Sequence, residues 1–374
     1  MKKFEPCPEC GIPLFIGREL KWEDNGVISL VRSPANRMVL YESRVIDSLF
    51  RGIEELIGLP IEHIVIESRA RETKRFIERQ FPAWLRRTFH YLNRHNVRNS
   101  PLAVVARKPI FRIAKLMAIR SMEISELYGY GRYMLGELWK SGDRFPWRVN
   151  LIRNPYSLPF SAADALGTAE ALEGQEQWVK YEKIGEDVYR VTSYPAPHPV
   201  ELKERLRRKR YAFKPGDITY RRCASCGLPK ELQRYRWDPE EGTITDEESG
   251  WRMAIFGPMA LEAVLDDLQA ELGEEVPRVV VEAERRFVKS RVGGMNWRRG
   301  GTTFNRLCAL RGMGNITLFE ADENHLSIKI ENSCLPMLMV GMAQAIYETA
   351  MNLEKTSYEW EQKEDGDLYI LVKR

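Results

Sequence analysis

The sequence predicts an α+β protein made of two tandem homologous lobes related by a pseudo-twofold axis, and three observations predict it. Cys7-Pro8-Glu9-Cys10-Gly11-Ile12-Pro13 recurs as Cys223-Ala224-Ser225-Cys226-Gly227-Leu228-Pro229. Further matches follow in the same order, which chance rarely supplies. Within each copy, strand-like and helix-like periodicities come in blocks rather than in βαβ alternation. The chain, with 374 residues and 44% apolar side chains, can fill the cores of two or three domains.

The repeat runs at an offset of 215 to 216 at first. Trp22 matches Trp237, Arg37-Met38-Val39-Leu40 matches Arg252-Met253-Ala254-Ile255, and Glu67, Arg71 and Lys74 match Glu282, Arg286 and Lys289. The offset then falls to 191, where Ala118–Met122 aligns with Ala309–Met313, and reaches 177 at Leu158-Pro159 and Leu335-Pro336. Copy one spans about 1–194 and copy two about 221–374. Copy one carries a basic insertion at about 75–112. Residues 195–220, rich in proline and charge, read as a linker with a short basic helix.

Each copy begins with its C-x-x-C knuckle. Two short strands come next, near Gly26–Leu30 and Met38–Tyr41 in copy one. Ile46, Leu49, Phe50, Ile53 and Ile57 then mark an amphipathic helix, and Leu261, Val264, Leu265, Leu268 and Leu272 repeat its spacing. The apolar runs His63–Glu67 and Arg278–Glu282 read as buried strands. In copy two, residues 316–332 read as a hairpin, Leu335–Asn352 as a helix and residues 357–373 as a closing hairpin.

The cysteines carry the most specific chemistry. C-x-x-C sets two thiolates on one tight turn, and the glycine after it suits a positive φ. Each knuckle supplies half of a tetrahedral site. A shared structural zinc on Cys7, Cys10, Cys223 and Cys226 would complete it. The alternatives are two half-sites completed by other residues or a second chain, a redox dithiol, or unmetallated thiols. The close-following Pro13 and Pro229 disfavour the redox reading, in which a helix would begin at the motif. Cys308 and Cys334 sit in apolar stretches and read as small core residues, with a ligand cavity beside Cys334 and Met337 as the alternative.

Arg120 and Arg311 interrupt apolar segments, so each needs a partner: a structural carboxylate or the acid group of a ligand. Glu67, Arg71 and Lys74, with their copies, suggest either a pocket for an anion or a solvated helix face. Residues 69–112 hold twelve Lys and Arg against Glu72 and Glu78, interleaved with aromatics. Arg86, Arg87 and Arg94, with Arg207 and Arg208 of the linker, form a candidate basic surface. It would suit nucleic acid, an anionic membrane surface or an acidic protein; the alternative is a helix packed on its own protein. The whole chain is nearly balanced, at 57 − 53 = +4. No phosphate loop, nucleophile elbow or H-E-x-x-H motif occurs, and no catalytic constellation stands out. No apolar run reaches 18 residues and no signal peptide opens the chain, so a cytoplasmic location is expected, where thiols stay available to metal.

The end of each copy resembles the 4-vinyl reductase-like domain family. The residues that carry the resemblance are Ala309-Leu310-Arg311-Gly312-Met313-Gly314, Asn332-Ser333-Cys334, Val340–Ala345 and Gly366-Asp367-Leu368-Tyr369. Asn154-Pro155-Tyr156 and Gly185–Tyr189 are the counterparts in copy one. The resemblance implies an α+β ligand-binding subdomain at the end of each lobe, a homo-oligomeric habit and a sensor or accessory role. The ligand would be a small apolar or amphipathic molecule, with Arg120, Arg311, Cys334, Met337 and Tyr156 as candidate contacts. The family's closing cysteines are replaced here by Tyr181, Tyr189, Tyr358 and Tyr369. An interaction scaffold using the basic face, and an enzyme acting on a bound ligand, are the competing expectations.

Overall fold

The computed structural model describes residues 5–94, 101–134, 145–199, 202, 212–292 and 301–374, with side chains at all of these except 92–94, 101–108, 110–111 and 301–303. In chain order the elements are α1 (Leu14–Glu19), β1 (Leu20–Trp22), β2 (Ile28–Leu30), β3 (Ser33–Glu42), α2 (Arg44–Ile57), α3 (Glu62–Gln80), α4 (Ala83–Arg94) and α5 (Pro101–Leu127). Then come β4 (Arg132–Tyr133), β5 (Val149–Arg153), α6 (Leu158–Glu173), β6 (Trp178–Gly185) and β7 (Val188–Tyr194). After the linker follow β8 (Tyr235–Asp238), β9 (Thr243–Asp246), β10 (Arg252–Phe256), α7 (Pro258–Leu272), α8 (Val276–Arg291) and α9 (Gly301–Leu310). The chain ends with β11 (Asn315–Ala321), β12 (His325–Glu331), α10 (Pro336–Met351), β13 (Ser357–Gln362) and β14 (Leu368–Lys373). The protein is therefore α+β, with three antiparallel sheets.

Two compact units form. Unit 1 comprises Met1–Pro60, Arg205–Trp237 and Ile244–Arg374; unit 2 comprises Ile61–Glu204 and Asp238–Thr243. The units do not follow the sequence repeat, because residues 1–60 are grouped with the second copy.

Unit 1 is built on a six-stranded sheet ordered β1-β2-β3-β10-β9-β8. Its centre pairs β3 with β10, with Leu40 opposite Ile255, both fully buried. The expected amphipathic helices form as α2 and α7, and their periodic residues are buried: Ile46, Leu49 and Ile53 in one, Leu261, Val264 and Leu268 in the other. Gly58 ends α2 in the left-handed conformation, which glycine adopts without a Cβ penalty. A second sheet, β11-β12-β14-β13, contains both hairpins expected near the C-terminus, and α10 lies between them in sequence as expected.

Unit 2 holds α3 to α6 and a sheet ordered β4-β5-β7-β6. Ser157 caps α6, its Oγ accepting from the N–H of Phe160 at 3.4 Å. One core gathers Ile66, Ala70, Ile152, Leu166 and Val191. Another joins Phe81, Leu85 and Phe89 to Trp147 and Leu172.

The runs His63–Glu67 and Arg278–Glu282 are helical, not strands, lying inside α3 and α8. A short β-branched run fits a buried strand or a buried helix equally, and the flanking pattern decides. In α3 the burial continues at helical spacing through Ile66, Ala70, Thr73 and Ile77. In α8, Pro277 stands in the first turn, where its missing N–H costs nothing. Each of these helices crosses another at a glycine. A Cβ on Gly167 of α6 would lie 2.3 Å from the Ala70 carbonyl oxygen, and one on Gly341 of α10 would lie 2.6 Å from that of Val281.

Candidate metal centre and binding surfaces

The two knuckles fold alike. In the first, the N–H of Cys7 donates to Ile12 O at 2.8 Å and that of Gly11 to Cys7 O at 2.9 Å; in the second, Cys223 to Leu228 O and Gly227 to Cys223 O repeat both distances. Gly11 and Gly227 share φ +75°, and a Cβ on either would meet nothing, so conformation rather than space selects glycine.

The knuckles bring their thiols together inside unit 1. Cys7 Sγ lies 3.6 Å from Cys223 Sγ, and Cys10 Sγ lies 3.5 Å from Cys226 Sγ. All four sulfurs fall within 4.8 Å of one another. A tetrahedron with metal–sulfur bonds of about 2.3 Å has edges of about 3.8 Å, so the donor set suits one four-coordinate ion. Burial raises the Cys7 thiol, but backbone N–H groups of Cys10 and Glu9 outweigh it and hold the group at about 7. Burial pushes Cys10 and Cys226 upward instead. Four thiolates this close therefore need a cation among them. Glu9 reaches across to the second knuckle: its carboxylate takes the N–H of Ser225 at 3.1 Å, lies 3.2 Å from Cys223 Sγ, and pairs with Lys230 at 2.9 Å. That Lys230 contact is the main reason its carboxyl is drawn down to about 2.

The candidate ligand contacts do not converge on a cavity. Arg311 is buried in unit 1, its Nη2 3.3 Å from Asp246 and its Nε 3.4 Å from the Tyr235 hydroxyl. Asp246 also binds Arg234 at 2.8 Å, so Arg311 meets a structural carboxylate. Arg120 of copy one is exposed on α5; its polar end reaches water, which answers a guanidinium as well as a partner does. Cys308 and Cys334 are buried, and burial pushes both thiols up to about 12, far from a nucleophilic thiolate. Met337 is half-buried at the start of α10. Tyr156, in unit 2, stacks on Tyr130 with ring centres 4.2 Å apart, and its buried hydroxyl has no hydrogen-bond partner among the described residues.

Glu67, Arg71 and Lys74 form neither an open anion pocket nor a solvated face. Lys74 pairs with Glu170 at 3.2 Å, and Arg71 donates to Leu202 O at 3.4 Å. His198, carried by the linker, sits between two carboxylates. Its Nε2 engages Glu170, and its Nδ1 lies 2.9 Å from Glu67. The Glu170 hydrogen bond leads in raising this imidazole to about 10. In copy two, Glu282 binds Arg285 and Arg286, while Lys289 binds Glu348 at 2.8 Å.

Unit 2 also has a surface groove of about 440 Å³ lined by Ile66, Trp178, Tyr181 and Pro199, with His63, Glu62 and Lys180 at its edge. The Tyr181 hydroxyl donates to Glu62 at 2.7 Å. Sequence reasoning placed Tyr181 only as a replacement for a cysteine. The one signal for the groove was the alternation of Trp178-Val179-Lys180-Tyr181, which reads as an ordinary half-buried strand.

The basic insertion packs as helix: Leu85 and Phe89 of α4 are buried while Arg87 is exposed and Arg86 half-buried. The side chain of Arg94, the residues Arg207 and Arg208, and the expected linker helix lie outside the described residues. Among the described residues no helix is long and apolar enough to cross a membrane. No family model, no curated protein and no solved structure matches the chain.

Proposed function

We propose that this chain is a tandemly duplicated, zinc-pinned binding protein that takes up a small apolar or amphipathic molecule. The approach of Cys7, Cys10, Cys223 and Cys226 carries the metal part of this reading, since a set of four thiolates prefers zinc and leaves no open coordination position. A closed site makes the metal structural: it ties residue 7 to residue 226. A reducing compartment would keep these thiols available.

The duplication is supported by matched contacts. Gly314 N–H donates to Gly26 O at 3.0 Å, and Gly131 N–H donates to Gly242 O at 2.9 Å. Gly26 and Gly242 are 216 residues apart, the offset of the cysteines. Asn332 Nδ2 donates to Asn25 O, and Asn154 Nδ2 donates to Glu241. Each copy's early segment thus meets the other copy's late segment. The sheet orders β4-β5-β7-β6 and β11-β12-β14-β13 also correspond, as 4-vinyl reductase-like lobes would require.

The ligand part rests on the groove beside Trp178 and Tyr181. Its aromatic walls suit an apolar body, and Glu62 and Lys180 suit a polar end. Native mass spectrometry of the purified protein, repeated after denaturation, tests both parts. One zinc per chain and an organic mass lost on denaturation are expected. Two zinc ions would overturn the shared site, and a ligand bound unchanged by Trp178→Ala would overturn the groove.

A further inference from the structure

Three large aromatic side chains on α3 and α4 face solvent: Phe76 is 50% exposed, Trp84 54% and Tyr91 58%. They are not remnants of an unfilled core. The apolar stripe of α4, Leu85 and Phe89, is fully buried with Phe81, Ile77 and Trp147. Trp84 and Tyr91 occupy the opposite stripe, at i and i+7, with exposed Arg87 at i+3. Arg79, at the end of α3, is exposed as well.

The charge of the chain is concentrated here. Residues 69–112 carry +10 and the whole chain +4, so the remainder carries 4 − 10 = −6. A surface with this much local positive charge attracts a polyanion, and rings standing outward among arginines add something a polyanion with flat faces can use.

We propose that the exposed faces of α3 and α4 bind single-stranded nucleic acid, Arg79 and Arg87 meeting phosphates while Trp84 and Tyr91 stack on bases. Stacking of unpaired bases on aromatics inside a positive surface is the general chemistry of such recognition. Two turns of helix separate Trp84 from Tyr91, about 10 Å, which leaves room for consecutive nucleotides. A membrane surface fits less well. An interfacial helix needs a free apolar face to sink into lipid, and that of α4 is already in the protein core. An acidic peptide would satisfy the arginines and leave the rings unused.

The test is fluorescence anisotropy of a labelled oligouridylate with the full chain. Binding should weaken at least tenfold between about 50 and 200 mM salt. Trp84→Ala should weaken it by about tenfold, with Trp84→Phe retaining most of the affinity. Arg87→Ala should lower the salt slope by about one. Trp84 is exposed, so both variants should keep the wild-type melting temperature. Absence of binding at low salt overturns the proposal. So does binding that Trp84→Ala leaves unchanged, since that is attraction to charge alone. Equal affinity for a duplex, whose base faces are hidden, overturns it too, as does capture by phosphatidylserine vesicles without binding to the oligonucleotide.

Discussion

The helix pairs α3–α6 and α8–α10 solve the same problem with different partners. Each buries a glutamate near the end of its second helix, Glu170 in one and Glu348 in the other, and each offers it a lysine from the first helix, Lys74 or Lys289. In both, a backbone N–H from the following strand region closes the site, from Gln177 or Thr356. The third partner differs. Glu348 takes Arg285 from α8 at 2.7 Å; the repeat places Ala70 at the corresponding position of α3, and Glu170 instead takes His198 from the linker. One acid is neutralised within its own helix pair by a group that never deprotonates. The other depends on a distant stretch of chain and on a group that can lose its proton.

The largest break in this comparison should come from Arg285→Met. It leaves Glu348 buried with a single cation, and unit 1 should lose about 3–5 kcal/mol in urea denaturation. Next, Gly167→Ala and Gly341→Ala should both destabilise by about 1–3 kcal/mol, because a Cβ meets backbone at each crossing; a smaller loss at Gly167 would mean that α3–α6 yields more readily. His198→Gln should cost less than Arg285→Met, about 1.5–3 kcal/mol, since it removes charged hydrogen bonds at a site nearer the surface.

The same histidine sharpens the contrast through pH. Its folded pKa, about 10, lies above the ordinary value near 6.5, so its contribution is complete below 6.5 and is lost as pH rises through 10. Thermal melts across that window should show the wild type losing more stability than His198→Gln. Parallel curves for the two proteins would remove the ion pair from the account. The smallest effect belongs to Arg120→Ala, within about 0.5 kcal/mol, although its match Arg311 lies buried against Asp246.

What was legible in the sequence followed from local rules. The amphipathic helices α2 and α7 and the C-terminal hairpins announce themselves by period, and the cysteines by a spacing that only a tight turn satisfies. The helices α3 and α8 were misread because His63–Glu67 and Val279–Val281 are too short and too β-branched to display a period alone. The strand β1 is three residues long and gives no pattern. The groove and the His198 site were invisible for a different reason. Tyr181 and Glu62 stand 119 residues apart, and Glu67 is 131 residues before His198, so only the folded backbone brings them together. The fate of Arg120 and Arg311 depended likewise on neighbours from other elements, which a matched motif does not record.

The cysteine cluster has a consequence for how the protein is made. Cys7 and Cys10 leave the ribosome long before Cys223 and Cys226 exist, and the central strand β3 waits equally for β10. At about 5–20 residues per second, the interval is roughly 10–40 s. During it, the nascent chain displays two metal-hungry thiols and an unpaired strand edge formed by Met38, Val39 and Leu40, a natural target for chaperones and for premature pairing with a neighbouring nascent chain.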